Sequence, residues 1–361
     1  MTVSLAHPMD QTQDRAGAHS AAAAVRLWLY IVAAVIFAMI IVGGATRLTE
    51  SGLSITEWRP VTGTLPPLSH EEWLTEFEKY RQIPQYQLIN KGMSLEAFKT
   101  IYWWEWGHRF LGRVAGLVFL LPFLYFWARG YFARGVAPRL GVLFVLGAAQ
   151  GVLGWWMVKS GLVDRTDVSQ YRLAAHLGLA FFLLGLTLWF AFLTRPVEGG
   201  RAGLARVGLA GGRWPWGALL LIAAIYVQVI LGAFVAGING GMGYNTWPLM
   251  DGQLVPDGLL VMSPWYANLF ENALTVQFNH RMLAYVIVVA ALGYAAYVWR
   301  RGAPELRASA ALLAGAVLAQ AALGVWTLLA QVPVSLGVAH QGMAAILLGI
   351  GIFHLHRIIR S

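Results

Sequence analysis

Four histidines lie inside long apolar stretches of the chain, and a carboxylate stands three residues before the first of them. These residues are His108, His176, His280 and His340, with Glu105 preceding His108. Ionisable groups are costly inside an apolar helix, so their presence there indicates a functional site. Two neutral imidazoles on opposing helices are a natural axial pair for a heme iron. The four histidines therefore predict two heme sites, with Glu105 beside the first.

The histidines belong to an internal repeat. The segment Glu105–Arg109, read Glu-Trp-Gly-His-Arg, returns as Gln277–Arg281, read Gln-Phe-Asn-His-Arg. The segment Gln150–Gly154 likewise returns as Gln320–Gly324. A single intramembrane histidine is more often a polar contact between helices than a metal ligand. Four histidines at matching depth in an internal repeat favour a role as metal ligands. His108 and His176 would form one site, and His280 and His340 the other.

Two arginines and several glycines suit the same cofactor. Arg109 and Arg281 directly follow their histidines. Heme propionates are carboxylates, and an arginine at the membrane surface is a good bidentate partner for them. Small residues let a flat ring or a neighbouring backbone come close, although they also serve helix packing alone. The glycines concerned are Gly112, Gly116, Gly154, Gly178, Gly324 and Gly342.

Matching positions of the two halves differ in charge. Glu105 in the first half corresponds to Gln277 in the second, and a carboxylate near an iron ligand can transfer a proton or stabilise positive charge. The alternative for Glu105 is a simple ion pair with Arg109, four residues later. At two further positions the first half has a charged residue and the second half an uncharged one: Arg113 corresponds to Tyr285, and Arg172 corresponds to Leu336. We infer that the N-terminal half holds the reacting species and the C-terminal half a permanent heme.

Composition places the chain in a membrane. It is 58% hydrophobic and only 12% charged, and apolar segments of spanning length recur along it. The absence of cysteine excludes disulfides and thiolate-ligated metals. The formal charge of +9 does not indicate nucleic-acid binding, because the basic residues stand at helix ends rather than in one cluster.

The fold class predicted is an all-α polytopic membrane protein with eight transmembrane helices, arranged as two pseudo-twofold-related four-helix bundles. The expected spans are about 25–46, 105–128, 139–159, 172–194, 214–238, 272–299, 308–330 and 335–356. Arginines concentrate in the loops after the even-numbered spans, so both termini are predicted to be cytoplasmic. The outer loop 48–104 is expected to contain short amphipathic helices, and His354 and His356 are expected at solvated or interfacial positions.

The predicted domains follow this division. Residues 1–24 form a disordered cytoplasmic tail, and 25–194 form the N-terminal half with the substrate heme site. Residues 195–213 form a cytoplasmic linker rich in glycine and arginine, and 214–361 form the C-terminal half with the permanent heme.

The segment Gly43–Ser54, the segment Glu105–Arg109 and the helices of the other three histidines resemble heme A synthases of the mitochondrial and alphaproteobacterial type. The resemblance implies oxidation of the C8 methyl group of heme O to the formyl group of heme A. It also implies a heme b on His280 and His340, a substrate heme on His108 and His176, and Glu105 as the family's important carboxylate. Some bacterial members carry cysteine pairs in outward loops, and this chain has none.

The resemblance also implies an inner (plasma) membrane location in a bacterium and a set of partners. Besides heme O, heme A and membrane lipid, the partners considered are a heme O synthase (farnesyltransferase), oxidase assembly factors and an electron donor of unknown identity. Two other functions remain open from the residues alone. One is a diheme b-type carrier that oxidises quinol without modifying heme, and the other is a transporter with a Glu/His proton relay.

Overall fold

The computed structural model describes residues 8–59, 62–197, 201–205 and 215–360, with side chains from residue 21 onward. Its helices are α1 (Pro8–Leu48), α2 (His70–Arg81), α3 (Pro84–Leu88), α4 (Leu95–Ala128), α5 (Val136–Lys159), α6 (Gln170–Leu193), α7 (Trp216–Gly237), α8 (Asn268–Glu271), α9 (Ala273–Arg301), α10 (Pro304–Leu329) and α11 (Val334–Arg360). Within the described ranges, eight of them are long and apolar enough to cross a membrane, namely α1, α4, α5, α6, α7, α9, α10 and α11. The prediction of an all-α polytopic membrane protein is confirmed.

Two helices begin earlier than their apolar runs. The helix α4 begins at Leu95 rather than near residue 105, because the Ser94 side chain accepts a hydrogen bond from the backbone N–H of Ala97 and caps a polar first turn. The helix α1 begins at Pro8, so residues 8–24, expected as part of a disordered tail, are helical. Residues 1–7 lie outside the described part of the chain.

The segment expected as a plain linker contains a small β-hairpin. Strand β1 (Thr194–Val197) pairs antiparallel with β2 (Arg201–Leu204). Arg26 on α1 donates a hydrogen bond to the carbonyl of Thr194 at 3.0 Å, which ties the hairpin to the first spanning helix. Residues 198–200 and 206–213 of the expected linker lie outside the described ranges.

The spanning helices contact one another both within and between the two halves of the chain. We call α1, α4, α5 and α6 the first set and α7, α9, α10 and α11 the second set. In the first set α1 and α5 both lie against α4 and α6, and in the second α7 and α10 both lie against α9 and α11. The sets meet where α1 contacts α11 and where α6 contacts α7 and α11. This contact pattern supports the two pseudo-twofold-related bundles, which remain a prediction.

The loop after α1 forms a small packed layer on the end of α4. As expected, it contains short helices, and α2 begins with a capping box between Ser69 and Glu72. The buried rings of Phe77 and Tyr80 pack against Phe98 on the first turns of α4. This layer fixes the segment that follows α1 over the outer end of the first set of helices.

Candidate functional site

Each of the four histidines packs its ring against a glycine on a neighbouring helix. The pairs are His108 with Gly43, His176 with Gly154, His280 with Gly232, and His340 with Gly324. A Cβ atom built on these glycines would lie 3.0, 3.0, 3.1 and 2.8 Å from the nearest ring atom, in the same order. A larger residue would require the ring to move, so glycine favours the close approach of imidazole and backbone, most strongly at Gly324.

A glutamine stands one helical turn before three of these glycines. The amide nitrogens of Gln150, Gln228 and Gln320 donate hydrogen bonds to the backbone carbonyls of His176, His280 and His340 at 3.0, 2.9 and 3.0 Å. The fourth position, before Gly43, is Met39. The internal repeat relates Gln150–Gly154 to Gln320–Gly324, but Gln228–Gly232 and Gly43 were not predicted. The Gln-x-x-x-Gly spacing, which Gln228 and Gly232 also have, would have identified this pair from the sequence.

A cavity of about 510 Å³ opens between α1, α4, α5 and α6. His108 and His176 both line it, so the structure brings the first predicted pair together. Its polar lining, which includes Glu105, Arg109 and Arg113, lies near the loop that follows α1, whose residue Arg59 also lines the cavity; we call this the outer end of the cavity. The deeper walls are apolar and extend to Val32, Phe119, Leu143 and Leu183, with Thr187 beside them. The volume lies within the range of small-molecule and cofactor sites.

Glu105 is buried, with only 3% of its side chain exposed, and it accepts four hydrogen bonds. Arg109 donates to Oε1 through Nε at 3.1 Å and Nη2 at 2.6 Å. The hydroxyl of Ser54 and the backbone N–H of Ile55 donate to Oε2 at 2.8 and 2.7 Å. A carboxylate offers about four lone-pair sites, so protein donors occupy all of them. The ion pair with Arg109 is present, as the alternative interpretation expected.

Besides its ion pair with Glu105, Arg109 binds the loop that follows α1. Its Nη1 donates to the carbonyl of Glu57 at 2.9 Å, and its Nη2 donates to the carbonyl of Ile55 at 2.7 Å. One turn further along α4, Arg113 donates to the carbonyl of Arg59 at 3.0 Å. Arg59 and Arg113 line the cavity together with Arg109. The outer end of the cavity is therefore rich in positive charge, and Arg109 uses most of its donors on the protein itself.

The second half repeats this arrangement with an uncharged side chain. Gln277 donates to the carbonyls of Gly240 and Gly243 at 2.8 and 2.9 Å. Its Oε1 accepts a hydrogen bond from Arg281 at 2.9 Å, and Arg281 also donates to the carbonyls of Tyr244 and Thr246. The Nε atom of Arg281 is buried and has no hydrogen-bond partner among the described residues.

The donors at both sites fit a heme. His280 and His340 are close enough for an electrostatic interaction between their rings. Among the residues described, no group of three or more His, Asp or Glu side chains comes together as a metal site. Two imidazoles in an apolar surrounding suit heme iron, whereas hydrated divalent cations require oxygen ligands.

Three sequence predictions need correction. Arg172 does not line the cavity but donates to the carbonyl of Trp156 at 2.7 Å and stacks on its ring. His354 is buried, and its two ring nitrogens are hydrogen-bonded to Tyr294 and Ser309, each at 2.8 Å. His356 is also buried. The partners of these groups come from distant parts of the chain, which the local sequence does not show.

The glycines expected near the macrocycle divide into different roles. Gly154 and Gly324 contact histidine rings, as described above. Gly178 and Gly342 admit the side chains of Ile230 and Ile41, so they serve helix packing. Gly112 and Gly116 both line the cavity, and an added Cβ at Gly116 would meet nothing within 4 Å.

Comparison with known proteins identifies the family. A family model described as cytochrome oxidase assembly protein matches residues 26–352. Similar proteins named heme A synthase occur in Parvibaculum lavamentivorans (54% identity, covering 93% of this chain and 95% of that protein) and Rhodospirillum centenum (52% identity, 92% and 88%). The heme A synthase of Maricaulis maris is 48% identical and covers 90% of this chain and 93% of its own length. The chain is therefore a multi-pass membrane protein that belongs to the cytochrome oxidase assembly protein family, and the resemblance to heme A synthases predicted from Gly43–Ser54 and Glu105–Arg109 is confirmed.

Proposed function

We propose that this protein is a heme A synthase, an oxidoreductase that converts the C8 methyl group of heme O to a formyl group through successive hydroxylations. Relatives that are about 50% identical to this chain over most of their length are named heme A synthase. The observation that carries the proposal is the cavity shared by His108 and His176, with a charged outer end and a deep apolar extension. Such a shape suits a porphyrin with two propionates and a long isoprenoid tail.

The substrate is oriented by the polarity of the cavity. His108 and His176 bind the iron of heme O near the outer end. The isoprenoid tail extends along the apolar wall, whose lining reaches Thr187, eleven residues beyond His176 on α6. Eleven residues of helix correspond to roughly 16 Å, which accommodates a long alkyl chain. Burial of this tail supplies most of the binding free energy, because each buried methylene contributes about 0.8 kcal/mol.

The propionates lie at the arginines of the outer end. Arg59 and Arg113 line the cavity, and Arg113 reaches it from α4, one turn beyond Arg109. Arg109, predicted from the sequence as a propionate partner, also fixes the loop that carries Arg59. Guanidinium groups suit carboxylates because they offer paired N–H donors. We therefore assign Arg109 two roles, an electrostatic one toward the propionates and a positioning one toward the loop.

Glu105 contributes a fixed negative charge beside His108. Because its four lone-pair sites are occupied, it can take up a proton only by releasing one of its present donors. We therefore propose that it stabilises positive charge at the substrate and orients the loop, rather than acting as the primary proton acceptor. A preorganised charge in a water-poor site stabilises charge development strongly.

The C-terminal half holds heme b between His280 and His340. When bound there, heme b supplies one-electron transfer to or from the substrate site. Gly232 and Gly324 leave room for the imidazole rings, and the buried Nε–H of Arg281 is available for a propionate. We place the protein in the bacterial inner membrane with both termini cytoplasmic and with both sites toward the outer face, because arginines concentrate in the opposite loops.

Extraction of the bound pigments tests this proposal. Wild-type protein should yield heme b together with heme O or heme A. His280→Ala and His340→Ala should lose heme b, whereas His108→Ala and His176→Ala should retain it and produce no heme A. Chromatography of the extracted hemes and the b-type absorbance provide the two readouts.

Two outcomes of the same extraction would contradict the function of a heme A synthase. A wild-type protein with heme b at two equal sites, and neither heme O nor heme A, would indicate a diheme electron carrier. A protein without visible absorbance would exclude both heme functions and favour a transporter.

A further inference from the structure

One polar side chain in the first cavity comes from the second half of the chain. Gln341 lies on α11, directly after His340. It lines the cavity between α1, α4, α5 and α6. Among the described residues that line this cavity, only Ala236 and Gln341 belong to the second set of helices, and only Gln341 is polar. Gln341 is therefore the polar group that the second half contributes to the first site.

The amide of Gln341 is held in one orientation. Its Nε2 atom donates a hydrogen bond to the carbonyl of Ile40 on α1 at 2.7 Å. A carbonyl only accepts hydrogen bonds, so the amide nitrogen is the atom that must face it. The amide also packs against Gly44, where an added Cβ would lie 2.8 Å from Oε1 and 3.0 Å from Nε2. The hydrogen bond and this contact together fix the position of Oε1.

The oxygen of this amide has no partner of its own. Oε1 accepts no hydrogen bond within the described part of the chain, and unlike the side-chain oxygen of Gln150 it is not fully buried. Because Gln341 lines the cavity, this oxygen can meet a molecule that is bound there. An acceptor that is held in place without a donor favours a ligand that brings an O–H or N–H group.

The amide of Gln341 lies at the same height along α1 as the ring of His108. Gly43 and Gly44 are consecutive residues of α1, and the first contacts the His108 ring while the second contacts Gln341. In the proposed binding mode, the propionates occupy the outer end of the cavity and the isoprenoid tail its deep end. The side edges of the macrocycle therefore lie at the height of the iron ligand. The C8 methyl group, which neighbours a propionate on the ring, belongs to one of these edges.

We propose that Gln341 distinguishes the singly hydroxylated intermediate from both substrate and product. The methyl group of heme O donates no hydrogen bond, the hydroxymethyl group left by the first hydroxylation donates one, and the formyl group of heme A only accepts. Oε1 of Gln341 therefore binds the intermediate, does not contribute to binding of the substrate and repels the carbonyl oxygen of the product. The intermediate is retained for the second hydroxylation and the product is released. This inference rests on the proposed function.

Transfer of bound heme to a heme-scavenging protein measures this selectivity without turnover. The purified protein is loaded in turn with heme O, its hydroxymethyl derivative and heme A. Gln341→Met keeps a side chain of similar length but offers only a weak acceptor. The hydroxymethyl heme should leave this variant about 10-fold faster than it leaves wild type, which corresponds to the loss of one hydrogen bond. The transfer rate of heme O should not change, and that of heme A should not rise.

A second substitution separates the acceptor from a structural role. Gln341→Met and Gln341→Glu both remove the amide N–H that binds Ile40, but a carboxylate keeps an acceptor. Gln341→Glu should therefore retain the hydroxymethyl heme at least as well as wild type. If both variants release it equally fast, the hydrogen bond to Ile40 accounts for the effect and the inference is wrong. Ile346→Met, at an exposed position of α11 outside the cavity lining, is the control and should leave all three rates unchanged.

The two consecutive glycines of α1 provide a test that leaves Gln341 itself in place. Gly44→Ala should displace the amide and speed the release of the hydroxymethyl heme alone. Gly43→Ala should displace the His108 ring and speed the release of all three hemes. Equal effects of Gly44→Ala on all three hemes, with heme b retained, would contradict the proposed selectivity. Wild-type protein that binds no heme O would refute the proposed function together with this inference.

Discussion

The loops beside α4 and α9 offer hydrogen-bonding groups of opposite kind to the helix of each half. In the first half, the loop presents donors to α4, namely the Ser54 hydroxyl and the Ile55 N–H, and Glu105 accepts from them. In the second half, the loop presents the carbonyls of Gly240 and Gly243, and Gln277 donates to them. A carboxylate cannot donate, so Glu and Gln are each the residue that matches its own loop. The charge difference between the halves therefore has a structural cause beside the functional one that we propose.

The arginines show what the halves retain in common. Arg109 and Arg281 each bridge the side chain four residues before them and two carbonyls of the adjoining loop. The ligand-bearing helix and the loop over the site thus form one unit in both halves. Duplication preserved this unit, and divergence changed the charge within it.

The largest expected effect comes from removal of the Glu105 charge. Glu105→Leu leaves the Arg109 guanidinium buried without a counter-charge, which typically costs about 3–5 kcal/mol. We expect the loop around residues 54–59 to become sensitive to limited proteolysis, and heme A formation to stop. Heme b should remain, because the second half has its own loop contacts. Retained heme A formation with a protected loop would contradict this assignment.

Exchange of the two residues between the halves should have a smaller effect. Glu105→Gln directs an amide at loop donors, and Gln277→Glu directs a carboxylate at loop carbonyls. Each mismatch leaves buried groups poorly paired, at about 1–3 kcal/mol. We expect Glu105→Gln to lower heme A formation and Gln277→Glu to lower heme b retention, measured on extracted pigments. If Glu105→Gln kept full product formation with intact heme binding, the role of the charge would be refuted.

The glycine contacts allow a site-by-site test. Gly324→Ala should displace the His340 ring and reduce heme b content, whereas Gly154→Ala should affect the substrate heme and spare heme b. Overpacking of this kind costs about 1–3 kcal/mol. Gly315→Ala is the control, since Gly315 lies on the same helix as Gly324 and outside the cavity lining, and an added Cβ there meets nothing within 4 Å. Equal heme loss in all three variants would show that the alanine effect is general.

The smallest effect is expected where the halves join. Glu271 accepts hydrogen bonds from Gln170 and Tyr171, both at 2.7 Å. Glu271→Ala should lower the free energy of unfolding by about 1 kcal/mol, with both hemes retained. Thermal unfolding measures the change. Glu96→Ala, which removes an exposed pair with Lys99, is the comparison and should have almost no effect. An equal shift for both variants would exclude a special role for Glu271.

The sequence predicted the elements that depend on local periodicity. In the part of the chain that the structure describes, eight long apolar stretches form eight helices of spanning length, because a spanning segment must satisfy its own backbone hydrogen bonds. The repeat also related His108 to His280 without any structure. The Glu105–Arg109 ion pair followed from helical spacing alone, since residues four apart are neighbours on a helix face.

Features that depend on irregular backbone could not be predicted in the same way. The contacts of Arg109 and Arg281 with loop carbonyls need the loop conformation, which no periodicity specifies. The burial of His354 depends on Tyr294 and Ser309, which lie on two other helices. The hairpin of β1 and β2 is too short to show an alternating pattern over its four-residue strands.

Helix α11 carries neighbouring residues that belong to different halves. His340 faces the second site, while the next residue, Gln341, lines the first cavity and donates to the carbonyl of Ile40 on α1 at 2.7 Å. A rigid helix fixes the separation between these two positions, so the proposed function implies that the distance for electron transfer between the two heme sites stays constant during turnover. The same linkage makes heme b a reporter: filling or emptying the first cavity should appear as a small shift in its absorbance band.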